Sequence, residues 1–263
     1  MNLDSTHEST SYALVALKWA DHVTLARAVL QINATRQQRI AYTSLILSAP
    51  QGGWVLLLLG DGQGAVDHML MRNLSGRLAT MAFEARVGEH DFAYRLHAMG
   101  HTESAFESNL THYINQRVRT LERTRNVDLL DLGEPIERFV MKRYRELQQP
   151  DPASTLSLTI PEVLQAHYKG DAQALSAILK PDIEVGFVSG LLAPGFSPQR
   201  AFELLLQSLK LPYLGEVLTA CAEDGQVLAE AAGLSVLQPV TWSAALPAGW
   251  RRIPALPEGL APA

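Results

Sequence analysis

Residues 81–109, MAFEARVGEHDFAYRLHAMGHTESAFESN, read as three consecutive β-strands and set the architecture of the chain. In each strand apolar and polar side chains alternate, and Gly88 and Gly100 fall at the two points where the chain turns. Alternation with a period of two, bounded by turn residues, is typical of strands with one buried face. The stretch therefore predicts a meander of three antiparallel strands.

The polar face of this meander carries the candidate binding residues. Arg95 and His97 alternate with apolar positions of the middle strand, Glu84 does so on the strand before it, and His101 follows the second turn. An alternating strand directs such residues to the side opposite the core. We therefore expect Arg95, His97 and His101 to form a binding surface.

Three of the eight histidines gather in the meander, which raises the question of a metal site. His90, beside Asp91, precedes the middle strand and His101 follows it, so a rise of about 3.3 Å per residue separates the two. His97 and His101 across a turn, without a local third ligand, do not complete a zinc site. The sequence therefore predicts neither a metal nor another cofactor.

Upstream of the meander, the predicted elements complete the order β-α-β-β-α-β-β-β. A β-prone run over residues 12–19 is followed by a helical pattern that Asp21 can cap. Two further strands, over residues 40–49 and 54–59, precede a helix whose apolar residues recur at helical spacing. Two helices on one mainly antiparallel sheet form a two-layer α+β sandwich, which we expect over residues 11–126.

Downstream of the meander, the sequence predicts helices. Residues 127–155 hold a helix and a polar, proline-containing linker. Residues 156–238 show short helical patterns with start signals such as Asp171 and Ser197, and we expect them to form a small, all-helical C-terminal domain. The proline-rich residues 239–263 are expected to pack as an extended tail.

A glycine-rich turn offers a nucleotide-binding alternative. Gly60, Gly62 and Gly64 follow an apolar strand and precede a helix, with spacing that fits G-x-G-x-x-A. Glu84 lies near the position where a dinucleotide fold places the acid that binds the ribose hydroxyls. Against this, Asp61 would put a negative charge beside the phosphate, and the strand of Glu84 continues into another strand where a crossover helix is needed. The simpler interpretation, without a bound nucleotide, is a strand-to-helix turn that requires positive φ.

Composition limits the class of protein. The chain has 263 residues, of which 47% are hydrophobic and 19% charged, as is typical of a globular protein with a sizeable core. The net charge of -5 gives no reason to bind nucleic acid over the whole surface. The arginine-rich residues 117–145 leave a weaker nucleic-acid hypothesis, although acidic residues interrupt them. A single cysteine excludes an intrachain disulfide.

The N-terminal residues and the apolar runs indicate a location. The first residues, MNLDSTHESTS, lack the basic start and the apolar core of a signal peptide. The most apolar run, residues 54–59, is too short to span a bilayer. Arginine far outnumbers lysine, and Ala, Leu and Pro are abundant, which is typical of a GC-rich bacterial genome. We therefore expect a cytoplasmic bacterial protein without membrane association.

The sequence lacks a complete catalytic constellation. It has no G-x-S-x-G elbow, no H-E-x-x-H pair and no G-x-x-x-x-G-K-[ST] loop. Cys221 has the apolar neighbours typical of a core residue. We therefore interpret the chain as a non-enzymatic protein that binds a protein partner or acts as an accessory or immunity-like factor. In addition to binding a partner, the chain could form a homo-oligomer.

One part of the chain resembles a pattern seen in bacterial proteins of unassigned activity. In that pattern a helix and a short strand lead into a hairpin of the form H/D-D-x-x-Y-x-L, followed by a glycine and F-x-S-N. The matching positions are His90, Asp91, Tyr94, Leu96, Gly100, Phe106, Ser108 and Asn109. The resemblance covers residues 65–109 and implies the two-layer α/β domain, without implying an activity.

Overall fold

The computed structural model describes residues 12–19, 21–36, 40, 42–59, 68–148, 159–211, 246 and 248–259. The first eight described elements follow the predicted order of strands and helices. They are β1 (Tyr12–Leu17), α1 (His22–Ala34), β2 (Ser44–Leu47), β3 (Val55–Leu59), α2 (His68–Arg77), β4 (Met81–Val87), β5 (Phe92–Ala98) and β6 (His101–Glu107).

Helices dominate the described residues beyond β6. They are α3 (Leu110–Thr124), α4 (Pro135–Gln148), α5 (Glu162–His167), α6 (Ala172–Leu175), α7 (Val185–Leu191) and α8 (Pro198–Ser208). A last strand, β7 (Arg251–Pro254), pairs with β2. The helices predicted beyond Pro212, and most of the predicted linker, lie outside the described residues.

The described strands form one seven-stranded antiparallel sheet in the order β6-β5-β4-β1-β3-β2-β7. β4, β5 and β6 are consecutive neighbours, which confirms the predicted meander. The register between β4 and β5 places Glu84 opposite Arg95 and Ala82 opposite His97. Because side chains alternate between the two faces of a strand, Glu84, Arg95 and His97 share one face of the sheet.

Polar side chains at the helix starts explain why these segments become helical there. Asp21, Asp171 and Ser197 each accept a hydrogen bond from a backbone N–H two or three residues further along, at 2.8 to 3.3 Å. Such a cap satisfies an N–H group that has no partner within the helix. Asn109 caps the long helix α3 in the same way, with its side-chain oxygen 3.0 Å from the N–H of His112.

One face of the sheet packs against the first five helices. Near the middle of the sheet, buried residues of β1, β2 and β3 share a core with α1 and α2. Toward the β6 edge, Ala105 joins a second core with α3, α4 and α5. The polar face of the meander is the face that these helices cover.

The opposite face of the sheet packs against the later helices. Phe83, Phe92 and Tyr94 share one buried cluster with residues of α6, α7 and α8, among them Leu175 and Phe202. The ring of Phe92 meets that of Phe202 edge to face, with centroids 6.0 Å apart. The class is thus mixed α+β, as predicted. The expected two-layer sandwich with a C-terminal all-helical domain is not confirmed, because both faces of the meander are buried and helices α6 to α8 cover one of them.

Candidate functional site

Glu84, Arg95 and His97 lie in the protein interior, although their alternation suggested a surface. All three residues are buried, and His97 is 0% exposed. The reason is that α2, α3 and α4 cover this face of the meander. His101, at the start of β6, is exposed to solvent. The three residues predicted to form a binding surface, Arg95, His97 and His101, are therefore not brought together on one exposed face.

These side chains belong to a larger set that we call the buried ionic network. Its members come from α2, the meander, α3, α4 and the short segments next to these elements. They are Arg72, Glu84, Arg86, Asp91, Arg95, His97, Glu107, Arg117, Asp131, Glu134 and Glu137, with the hydroxyl groups of Thr102, Tyr113 and Tyr168.

His97 is the centre of one half of the network. Its Nε2 lies 3.4 Å from Oε1 of Glu84, and its Nδ1 lies 3.2 Å from the hydroxyl oxygen of Thr102. The Thr102 hydroxyl is in turn 3.3 Å from Oε1 of Glu134. A continuous polar path thus runs from β4 through β5 and β6 to the start of α4.

Glu134 joins that path to α2 and to the segment after α5. It accepts hydrogen bonds from Nη1 of Arg72 and from the hydroxyl of Tyr168, each at 3.0 Å. Burial alone would raise the pKa of Glu134, but the Arg95 guanidinium, the Tyr168 hydroxyl and Arg72 outweigh it and hold that pKa below its ordinary value. Glu134 is therefore an ionised, multiply bonded carboxylate.

Arg95 is held with few direct partners. Its Nη1 is 3.9 Å from Oε1 of Glu84, and its guanidinium carbon lies 5.8 Å from the ring centroid of Tyr168. Neither Nε nor Nη2 of Arg95 has a hydrogen-bond partner among the described residues. A buried cation of this kind is stabilised mainly by the surrounding negative charge, here Glu84 and Glu134.

The other half of the network is centred on Arg86. Its two terminal nitrogens lie 2.7 Å from Oδ2 of Asp91 and 2.6 Å from Oε2 of Glu107, and its guanidinium lies over the Tyr113 ring. The Tyr113 hydroxyl donates to Glu137 on α4. Arg86 therefore connects the β4–β5 turn, the end of β6 and the helix α3.

Glu107 carries an unusual carboxyl group. Its pKa is raised to about 7, chiefly by burial and also by the Asp91 carboxylate, and Arg86 only partly offsets these effects. The second oxygen of this carboxyl group, Oε1, has no hydrogen-bond partner among the described residues. A carboxyl group with this pKa can exchange a proton near neutral pH.

The structure also contains an open cleft of about 660 Å³. It lies where the ends of β5 and β6 meet the start of α3, the segment 160–169 and the connection between α7 and α8. Six of its lining residues are Phe92, Phe106, Tyr168, Lys169, Leu192 and Phe196. Tyr168 belongs both to the cleft and to the buried ionic network, because its hydroxyl binds Glu134.

The charged lining residues of the cleft are few. Lys169 is exposed and has no carboxylate within ion-pair distance in the part of the chain that the structure describes. His90 is largely exposed, with Glu89 3.8 Å away. Glu107 is the one carboxylate among the described lining residues, and Arg86 binds it. Among the described lining residues the free charge is therefore positive.

Of the four residues of the nucleotide-binding alternative, the structure describes only Glu84. Gly60, Gly62 and Gly64 lie outside the described residues. Glu84, the fourth residue of that alternative, points its carboxylate at Arg95 and His97 inside the network. Asp91 and His90, from the histidine cluster, lie at the β4–β5 turn, whereas His101 lies beyond the other end of β5.

Sequence reasoning missed most residues of the network and of the cleft. Arg86 and Glu107 alternate with apolar neighbours as Arg95 does, so the same period-two pattern could have placed them on the shared face. Glu134, Tyr168 and Lys169 gave no local signal, because they reach the meander only through the packing of α4 and α5.

The described residues contain neither a candidate metal site nor a candidate membrane-spanning helix. No group of three or more His, Cys, Asp or Glu side chains within them could hold a metal ion. None of the helices in that part of the chain is long and apolar enough to cross a membrane.

Comparisons with known proteins give no further assignment. No protein-family model, no curated protein and no solved structure matches the chain.

Proposed function

We propose that this chain is a non-enzymatic cytoplasmic bacterial protein that recognises a protein partner through the cleft. The observation that supports this most is the composition of the cleft. An exposed aromatic residue, Phe196, borders an apolar wall that includes Phe92, Phe106 and Leu192, and Lys169 supplies free positive charge. Aromatic side chains are enriched at the centre of protein interfaces.

The interior position of three acid–base side chains supports a binding role for the protein over a catalytic one. Glu84, His97 and Glu134 lie in the interior and bind one another or neighbouring side chains. A general acid or base has to come within hydrogen-bonding distance of its substrate. The network instead joins the meander to α2, α3 and α4, which fixes the frame on which the cleft is built.

Photo-crosslinking from two matched positions tests the proposal. Phe196 and Phe187 are 49% and 46% exposed, and of the two only Phe196 lines the cleft. Replacing each in turn with a photoreactive phenylalanine analogue in the source cells keeps an aromatic side chain at the position. We expect a discrete protein adduct from position 196 and none from position 187. Equal adducts from both positions, or none from position 196, would reject the cleft as the recognition surface.

A turnover screen tests the non-enzymatic part of the proposal. We expect no reproducible activity in a broad panel of hydrolase and transferase substrates. The decisive contrary result is a turnover that His97→Gln abolishes and that the exposed control His101→Gln leaves unchanged.

The alternative is a nucleotide-binding protein that uses Gly60, Gly62 and Gly64 with Glu84. In this case a Glu84 carboxylate would have to leave Arg95 and His97 to meet a ribose. Thermal-shift measurements with ATP, GTP and NAD test the idea. A stabilisation that Gly62→Val removes would favour the alternative, and no shift with any of the three nucleotides ends it.

A further inference from the structure

The segment 168–170 forms a single bridge to the sheet at the β6 edge. The N–H of Glu107 donates to the carbonyl of Tyr168 at 3.0 Å, and the N–H of Gly170 donates to the carbonyl of Ala105 at 2.9 Å. Phe106 and Lys169 form an antiparallel bridge between these two bonds. The segment therefore continues the hydrogen-bonding pattern of the sheet by one residue pair.

The backbone of Lys169 faces away from the sheet. The C=O of Tyr168 and the N–H of Gly170 both point to β6. Because the C=O and N–H groups of a trans peptide unit point in opposite directions, the N–H and C=O of Lys169, which share those two peptide units, point away from β6. Neither group has a hydrogen-bond partner among the described residues, and Lys169 lines the cleft. The cleft therefore contains an open strand edge one residue long.

From these observations we propose that the cleft binds an extended, acidic segment of the partner protein, which pairs with the main chain of Lys169. This inference rests on the proposed function and names the kind of segment that the cleft takes. Adding a strand to an exposed edge is a common way to bind an extended peptide, with main-chain hydrogen bonds giving affinity and side-chain pockets giving specificity.

Charge complementarity decides the acidic character of the segment. Lys169 is exposed and free of carboxylate partners among the described residues, and His90 lies on the same cleft. The carboxylate of Glu107 is bound by Arg86, so it does not oppose an incoming acidic residue. An aspartate or glutamate beside Lys169 would thus meet uncompensated positive charge.

The apolar wall decides the second feature of the segment. Phe196 is half exposed at the cleft, and Leu192 and Phe106 lie beside it in the lining. A cleft of about 660 Å³ lies within the size range of small-ligand and peptide sites. Because side chains of an extended peptide alternate, an aromatic or large aliphatic residue can face this wall while its neighbours face Lys169 and solvent.

Peptides that bind the full chain, selected from a phage-displayed library of random dodecapeptides, serve as the probe. We expect the selected peptides to combine Asp or Glu with a nearby Phe, Trp or Leu. Lys169→Glu should weaken their binding at least about tenfold, because it replaces attraction with repulsion. Lys180→Glu is the matched control, since Lys180 is also exposed but does not line the cleft, and it should change the affinity less than about twofold.

Methylation of the peptide backbone tests whether the bound peptide pairs with the main chain of Lys169. Methylating the amide nitrogens of a selected peptide one at a time should abolish binding at one position only, the residue that pairs with Lys169, because the open edge offers a single C=O group to a peptide N–H. Equal tolerance at all positions, or selection of neutral or basic peptides, would overturn the inference. If those peptides still cross-link to position 196, the proposed function stands without it. If neither a peptide nor a partner protein reaches position 196, both fail.

Discussion

Nε2 of His97 lies 3.4 Å from Oε1 of Glu84, and no part of His97 is exposed to solvent. The pair joins adjacent strands of the meander on the face that α2, α3 and α4 cover. Through Thr102, it continues to Glu134 at the start of α4. Removing one partner from a buried polar pair of this kind strongly destabilises the folded protein, because the remaining group stays desolvated without a partner.

We expect His97→Ala to lower the free energy of unfolding by roughly 2–4 kcal/mol, because Glu84 and Thr102 lose a partner and a cavity remains. Urea denaturation followed by circular dichroism measures this change. His101→Ala is the control, since His101 is exposed on the next strand, and it should stay within about 0.5 kcal/mol of the parent protein. Equal effects of the two substitutions would contradict the structural role of His97.

Glu107 should make stability fall as pH rises through the neutral range. Its pKa in the folded protein is about 7, above the ordinary 4.5, so the folded state binds the proton more tightly than the unfolded state. Stability therefore decreases from about pH 4.5 to about pH 7, by an amount on the order of 3 kcal/mol. In Glu107→Gln this contribution should disappear, which denaturation curves at stepped pH would reveal. Parallel pH profiles for the two proteins would be the contrary finding.

Phe202 tests whether the later helices and the sheet share one core. It is fully buried and meets Phe92 of β5 edge to face. We expect Phe202→Ala to cost about 3–5 kcal/mol and to speed hydrogen exchange of the β5 amides. Unchanged exchange in β5, with loss confined to α6, α7 and α8, would instead indicate an independent helical unit.

Gly170 tests the geometry of the segment 168–170. It has a φ of +77°, and a Cβ at this position would lie 2.9 Å from the Tyr94 hydroxyl and from a methyl group of Leu192. Gly170→Ala should therefore destabilise the protein by about 1–2 kcal/mol and weaken peptide binding at the cleft. Gly186→Ala is the control: a Cβ there meets no atom within 4 Å, so this α7 substitution should be neutral or stabilise by up to about 1 kcal/mol. Equal destabilisation by both would contradict the described geometry.

Local patterns in the sequence were sufficient for the meander. The alternation of Phe83, Glu84, Ala85 and Arg86 repeats with period two, so both the strands and their two faces can be derived from neighbouring residues. Start signals such as Asp21 and Ser197 likewise act within a few residues of the helices they open. These features depend on interactions that are short-range in the sequence.

The burial of the polar face could not be derived in the same way. A strand with Arg95 and His97 on one side is typical of a half-exposed sheet. Here that side is buried because Glu134 and Tyr168, which lie far along the chain, bring their own polar groups to it. Each of those groups lacks a local signature, and they become a network only when α4 and α5 are packed.

The cleft was beyond sequence reasoning for a related reason. Its walls come from the end of the meander, from residues near Lys169 and from the α7–α8 connection around Phe196. These three regions share no periodic pattern or motif. The open strand edge at Lys169 follows from the backbone hydrogen bonds of its two neighbours, which depend on tertiary packing.

Isothermal titration calorimetry tests partner recognition at the cleft most directly. It measures the affinity of the protein for the partner that is cross-linked at position 196. We predict that Phe196→Ser raises the dissociation constant at least about tenfold, as expected for a central aromatic contact. Phe187→Ser should change the dissociation constant less than about twofold. Equal affinities of the Phe196→Ser variant and the parent protein would contradict recognition through the cleft.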